Sequence, residues 1–384
     1  MDLRERFVAV LSVEMIASSR PDGAVFLTGS TGFLGRRLLT ELIRAGRPVF
    51  VLAQPEELPR AHSAVARLTR RFPGARGGTL LFAGDALEPG LGLAGEVAGR
   101  VLAEASVVVH ALAFGPGTRR TAERAAMDNV RAVESVLAFA HRSKTVQSFV
   151  LIGSTAVSGD YPGTFYEDWF DVGQDFVDAL DRSVFEMEAR VRDARRTLPT
   201  VIVRPGVMLG DAETGEIDHA RGLGPLIRVL RAARGWPEWL PLPGLAGDRC
   251  VVPLSPVDYV ARATLALSRM REARGHAYCL VDPTSPTLQE LLDELADAIG
   301  MPRPRLTPNR RIQSRLLGLP GVLPALARTG DALGVPLRPL RLLLGRNRHD
   351  TTRARTALLP LGIACPPFAS YARRVVADYL RKAA

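Results

Sequence analysis

From Ala24 to about Arg204, short apolar runs rich in β-branched residues alternate with segments whose apolar residues recur every three or four positions. The runs are "AVFLT" (24–28), "PVFVLA" (48–53), "TLLFA" (79–83), "SVVVHA" (106–111), "SFVLI" (148–152) and "TVIVR" (200–204). They are apolar nearly throughout instead of alternating, the pattern of strands covered by helices on both faces. The whole predicts an α/β protein built on a doubly wound parallel sheet.

After Arg204 the pattern turns irregular and rich in Pro and Gly, which predicts a smaller C-terminal lobe. "GWPEWLPLPGLAGD" (235–248) is expected as a long loop carrying two of the three tryptophans. "TLQELLDELADAIG" (287–300) opens with Thr287 and Glu290 at capping-box spacing and closes on Gly300, which predicts a helix. The leucine- and arginine-rich segment 311–348 reads as a cap over the substrate pocket. Its prolines, Pro320, Pro324, Pro336 and Pro339, interrupt the long amphipathic helix that a membrane surface would select.

Composition narrows the class. Of 384 residues, 47% are hydrophobic and 23% charged, a globular balance. The net charge is +10, yet the basic residues are scattered, and only Lys144 and Lys382 among the 50 are lysines. No aromatics interleave with the arginines as a nucleic-acid surface would require, so no nucleic-acid partner is expected. Cys250, Cys279 and Cys365 lie far apart with no Cys/His cluster, which argues against disulfides and against a metal site. The first residues, "MDLRERFVAVLSVEMIASS", place Glu14 inside their apolar run and fail as a signal peptide. No run of apolar residues is long enough to span a membrane. A reducing cytoplasm is the expected setting.

"VFLTGSTGFLGRRLL" spaces Gly29, Gly32 and Gly35 as GxxGxxG, directly after the first strand and at the start of a helix. Glycines let the backbone turn tightly and approach a pyrophosphate, whose charge then rests on the helix N-terminus. Further motifs follow in order: "GDALEPGLGL" (84–93), "VVVHALA" (107–113), Asn129 in "MDNVRAVESVLAFA", "LIGSTAVSGD" (151–160), "FYEDWFDVGQ" (165–174), "VRPGVMLGD" (203–211), "SPVDYVARA" (255–263) and "DTTRARTALLPLGIACP" (350–366). Together they resemble the extended short-chain dehydrogenase/reductases, in the branch of thioester-reductase, fatty-acyl-reductase-like and male sterility proteins.

The resemblance implies a Rossmann-type NAD(P)-binding domain over 1–210, also taking in about 250–272, with a substrate lobe and C-terminal cap over 211–384. It implies that Gly29, Thr31, Gly32, Phe33, Leu34 and Gly35 hold the pyrophosphate of NAD or NADP. By the same carry-over Asp85 and Ala86 edge the adenine, and Ala111, Leu112 and Ala113 line the ribose. Asn129 belongs to the same site, and Pro205, Gly206 and Val207 sit beside the nicotinamide. One departure concerns the second strand, which ends "VLAQP": Gln54 stands where the resemblance implies an arginine for the 2′-phosphate of NADP. Glu56 and Glu57 follow closely, and the choice between NAD and NADP stays open.

The same resemblance implies a Ser or Thr, a Tyr, and a Lys four residues after the Tyr. The tyrosine gives or takes a proton, and the ammonium lowers its pKa from about 10 while gripping the ribose. Ser154, in "GSTA" after the fifth strand, matches the serine. In "FVDALDRSVFEMEARV" (176–191) the other two positions fall on Leu180 and Val184. No slip of alignment restores them, because none of the six tyrosines is followed at the fourth residue by Lys or Arg. Val177, Leu180, Val184, Met187 and Val191 instead recur at helical spacing as an apolar stripe. Tyr161 and Tyr166, in "GDYPGTFYEDW", are the substitute candidates, each with a purely structural reading beside it. His110 reads as a buried, hydrogen-bonded histidine, and Asp178 and Asp181 as carboxylates at a helix start.

Three functional readings follow. The first is redox-neutral chemistry, such as dehydration, cyclisation or isomerisation, on an apolar acyl or polyketide-like substrate. The second is an NAD(P)H-dependent reductase using Ser154 or a loop tyrosine as its acid. The third is a non-catalytic nucleotide- or acyl-binding partner. A homodimer and biosynthetic partner proteins are both compatible with them.

Overall fold

The structure is a computed structural model and describes residues 23–75, 77–115, 120–176, 178–218, 223–232, 250–304 and 347–383. The expected loop at 235–248 and nearly all of segment 311–348 lie outside the described residues, as do the first 22 residues and Val177.

In chain order the elements are β1 (Ala24–Thr28), α1 (Phe33–Arg44), β2 (Val49–Ala53), α2 (Leu58–Arg71), β3 (Thr79–Ala83), α3 (Gly95–Glu104), β4 (Ala105–His110), α4 (Ala122–His141) and β5 (Ser148–Ile152). They continue with β6 (Thr164–Phe165), α5 (Ala179–Ala194), β7 (Thr200–Pro205), α6 (Leu223–Ala232), α7 (Val257–Leu267), β8 (Ala277–Leu280), α8 (Leu288–Ile299), β9 (Arg348–His349), α9 (Thr352–Leu358) and α10 (Ala372–Ala383).

One sheet runs β3-β2-β1-β4-β5-β7-β8, and the β1/β2, β1/β4, β2/β3, β4/β5 and β5/β7 pairs are all parallel. This is the Rossmann order, with its reversal between β1 and β4. The six strands expected from the apolar runs are all present, within a residue at each end. β8 was not foreseen, since "AYCL" is too short and too ordinary a run to read as a strand.

The chain forms two compact units. One holds the described residues of 1–157, 176–203 and 261–277, the other those of 158–175, 204–260 and 278–384. The first unit is organised around its sheet: β1, β2 and β4 are buried almost end to end, as continuous apolar runs require. α1 adds Leu34, Leu38, Leu39, Leu42 and Ile43 along one face. Leu38 is 0% exposed, and removing such a side chain costs about 2–5 kcal/mol.

The second unit has its own core, in which Leu288, Leu291, Leu292 and Leu295 of α8 join Tyr371, Val375, Val376 and Tyr379. α8 carries the expected capping box, with Thr287 and Glu290 satisfying each other's main chain, and ends on Gly300 at φ 75°. β6 and β9 form a separate two-stranded parallel ribbon in this unit.

Candidate functional site

The first unit concentrates its chemistry at the C-terminal ends of β1, β2, β3 and β4. Gly29 follows β1 at φ 75°, and a Cβ there would stand 2.5 Å from the Leu112 main-chain nitrogen. A Cβ on Gly35 would lie 1.9 Å from the Gly29 carbonyl oxygen, so α1 can start this close to the strand only with glycine. Gly32 differs: it is exposed, and its nearest neighbour to an added Cβ is the Gly29 oxygen at 3.4 Å. It forms the N-cap of α1, with no side-chain cap and no acidic residue in the first turn. The residues therefore fit a dinucleotide pyrophosphate, with two glycines required by packing and one facing open space.

Around this turn the side chains form two short links. Thr31 Oγ1 donates to Glu57 Oε1 at 2.9 Å, and Gln54 Nε2 donates to Asp85 Oδ2 at 2.7 Å. Asp85 Oδ1 also accepts from the Leu87 amide. Ala86 is buried, Ala111 and Leu112 are half-buried, and Ala113 is exposed. Asn129 is buried and holds the loop after β4 at both ends of one residue: its Oδ1 accepts from Phe114 N at 2.6 Å and its Nδ2 donates to Phe114 O at 3.1 Å. Asn129 thereby shapes the loop of Ala111, Leu112 and Ala113, the residues expected along the ribose.

His110, at the end of β4, is buried and shares a 3.0 Å hydrogen bond between Nδ1 and Thr28 Oγ1. Burial pushes its pKa down to about 4, so the ring is neutral at physiological pH. The sequence reading of a buried, bonded histidine holds.

Ser154 follows β5 half-buried, and its Oγ accepts from the Ala156 amide at 3.1 Å. α5 is capped by Asp178, whose Oδ1 accepts from Leu180 N and Asp181 N, both at 2.9 Å. Leu180 is 4% exposed and belongs to the core of the first unit with Met187 and Val191. Val184 is only half-buried, while its neighbour Ser183 is buried and donates to the Leu180 carbonyl. Of the expected stripe, Leu180, Met187 and Val191 are buried and Val184 is half-buried, while Ser183 shares the buried face by bonding its own helix.

In the second unit, Tyr161 and Tyr166 both lean on Trp169, with ring centroids 5.4 and 4.8 Å away. Tyr161 is half-buried and Tyr166 is 47% exposed. Neither hydroxyl bonds another described residue. Tyr259 and Tyr371 are buried, and burial drives their hydroxyls further from ionisation, so neither is suited to act as a base. Pro205 ends β7, and the next two amides are both committed: Gly206 N to Ser255 Oγ at 2.8 Å and Val207 N to Pro253 O at 2.6 Å.

Sequence reasoning passed over Glu167. Buried in the second unit, it accepts from the amides of Cys279 (2.8 Å), Arg353 (2.6 Å) and Ala354 (3.2 Å), so it caps α9 while tying the 158–175 segment to β8. Burial pushes its carboxyl up to about 7 against the pull of those donors. Its position inside the quoted "FYEDW" motif was the available signal. Among the described residues no group of His, Cys, Asp or Glu stands where it could hold a metal ion, and no helix is long and apolar enough to cross a membrane.

Known proteins resemble this chain in sequence and fold. The non-canonical nonribosomal peptide synthetase FrzA of Cladobotryum sp is 26% identical over 289 residues, covering 68% of this chain and 26% of its own length. The chain spans about a quarter of the length of such curated relatives. Among solved structures, the terminal R domain from the myxalamid PKS-NRPS biosynthetic pathway superposes with a TM-score of 0.76 at 22% identity, over 95% of this chain and 92% of that one. The reductase domain of a nonribosomal peptide synthetase from Mycobacterium tuberculosis gives 0.67 at 21% identity, over 94% and 92%. These likenesses establish the fold. The Male sterility protein family matches residues 27–264, from the end of β1 through the glycine turn to α7, and the chain belongs to that family.

Proposed function

We propose that this chain binds a nicotinamide dinucleotide at the Gly29–Gly35 turn and acts on an apolar acyl or polyketide-like thioester by redox-neutral chemistry in place of hydride transfer. Dehydration, cyclisation and isomerisation are the candidate reactions. The observation that carries the reading is α5. Leu180, where the resemblance puts the acid, is 4% exposed within the first unit's core, and Val184 offers no ammonium. A missing general acid removes about 10²–10⁴-fold from a hydride transfer. Dehydration of a β-hydroxyacyl chain needs a proton taken from carbon and one given to the hydroxyl that leaves as water; Ser154 in the first unit, or Tyr161 or Tyr166 in the second, is the candidate for such a transfer.

The dinucleotide, when bound, supplies a hydride donor or acceptor. The substrate class is drawn from the relatives, which are peptide synthetases and their reductase domains. A cytoplasmic biosynthetic assembly presenting a thioester is the matching context. A second reading, reduction with a loop tyrosine as acid, is favoured by the unbonded hydroxyls of Tyr161 and Tyr166.

The test titrates purified protein with NADH and NADPH by fluorescence, then adds a β-hydroxyacyl thioester and follows both nicotinamide oxidation and product mass. The expected result is nucleotide binding, negligible oxidation, and a product at the oxidation level of the substrate. Rapid oxidation abolished by Tyr161→Phe or Tyr166→Phe would replace the first reading by the second. Absence of nucleotide binding would remove the reductase reading and overturn the proposal that a dinucleotide binds at the Gly29–Gly35 turn.

A further inference from the structure

We infer that the adenosine end of the site is built around a free 2′-hydroxyl, so that the chain takes NAD(H) in preference to NADP(H), with Glu57 as the residue that sets the choice. This rests on the reading that a dinucleotide binds at the glycine turn.

The ends of β1 and β2 lie side by side, with Thr28 paired to Leu52. From Gln54 the chain turns around Pro55, and the Gln54 carbonyl accepts from Glu57 N at 2.8 Å and Leu58 N at 3.2 Å. That turn brings Glu57 back toward the glycine loop, where its Oε1 accepts from Thr31 Oγ1 at 2.9 Å. Thr31 stands between Gly29 and Gly32, within the stretch that approaches the pyrophosphate. On the other side, the residue that ends β2 is neutral: Gln54 Nε2 is committed to Asp85 Oδ2 at 2.7 Å.

A ribose placed beyond β2 would therefore meet the Glu57 carboxylate, since Asp85 already accepts from Gln54 Nε2 and from the Leu87 amide. A carboxylate accepts hydrogen bonds from a vicinal diol, whereas a 2′-phosphate in the same place brings like charge against it. Of the nearby cations, the Arg36 guanidinium donates to the Thr31 carbonyl at 3.0 Å, and Arg60 is exposed on the first turn of α2.

The test is calorimetric titration of the full chain with NADH and NADPH, and with two fragments lacking nicotinamide, ADP and 2′,5′-ADP. NADH should bind at least about tenfold more tightly than NADPH, about 1.4 kcal/mol, with ADP ahead of 2′,5′-ADP in the same sense. Raising the salt concentration should narrow the gap, because the discrimination is a charge repulsion, and this needs no variant. Glu57→Gln keeps an acceptor for Thr31 while removing the charge, and should bring the two cofactors within about threefold by strengthening NADPH. Equal or tighter binding of NADPH by the unaltered chain, a gap indifferent to salt, or an unchanged ratio in a folded Glu57→Gln protein overturns the inference while the nucleotide-binding reading stands. Failure of all four ligands to bind overturns both.

Discussion

Placing a tyrosine and a lysine back on α5 asks whether the proton-transfer pair is merely absent or whether the helix face has been rebuilt around its absence. The structure makes the two substitutions unequal. Leu180 is 4% exposed and packed in the first unit's core, so Leu180→Tyr forces a larger ring into a filled site at about 1–3 kcal/mol and buries a hydroxyl at about 1–3 kcal/mol more if no partner reaches it. Val184 is half-buried, and a lysine there can run its stem along the helix and keep the ammonium in water, for well under about 1 kcal/mol. The double variant should therefore lose about 2–6 kcal/mol, nearly all of it from position 180, and should gain no reductase activity. Urea unfolding of the two single variants and the double variant, with NADH and NADPH oxidation in the presence of an acyl thioester, measures both consequences. Hydride transfer at unchanged stability would refute the rebuilt face. A Val184→Lys variant less stable than Leu180→Tyr would refute the packing argument.

Gly35→Ala should destabilise the first unit by about 3 kcal/mol or more, because its Cβ would meet the Gly29 oxygen at 1.9 Å, whereas Gly32→Ala should cost only about 1 kcal/mol and act mainly on nucleotide affinity; thermal melts and titrations on both variants check the contrast. The Glu167 carboxyl is pushed by burial from the ordinary 4.5 up to about 7, so its contribution to stability is full below pH 4.5 and is lost as pH rises through 7, about 3 kcal/mol in all. Unfolding free energies of the wild type should fall relative to Glu167→Gln across that window, and parallel pH profiles would sink the idea. Thr287→Ala should cost about 1 kcal/mol by removing one half of the α8 capping box, read as a shift in the urea midpoint at constant slope.

The sheet was legible because a parallel strand buried on both faces must be apolar along its whole length, and β1, β2, β4, β5 and β7 are each such runs. α8 was legible because its cap chemistry is local: Thr287, Glu290 and Gly300 act within a turn of themselves. What escaped depends on contacts made far along the chain. The carboxylate of Glu167 is held by amides 112 and 186 residues away, partners that its place in "FYEDW" does not name. Asn129 shapes the site's own loop through Phe114, 15 residues back, a contact its motif alone does not name. The burial of Ser183 beside the apolar stripe escaped because a serine that bonds its own helix hides from a pattern of hydrophobic positions.

The glycine turn shows how much of a motif the fold alone can explain. Gly29 needs a positive φ and lies against the main chain of Ala111 and Leu112, and Gly35 lies against Gly29, so both would be required in a protein that bound nothing. Gly32 has φ −68°, an ordinary value for any residue, and a Cβ there would meet only one atom, at 3.4 Å. The helix it begins would gain stability from Ser, Asp or Asn at that N-cap, and none is present. Packing thus does not account for glycine at position 32. Close approach of a ligand does, since a side chain at the N-cap would stand between the open amides of α1 and any phosphate brought to them. The weight of the nucleotide reading accordingly rests on Gly32 and on the Thr31–Glu57 link beside it, two features that the core of the first unit does not require.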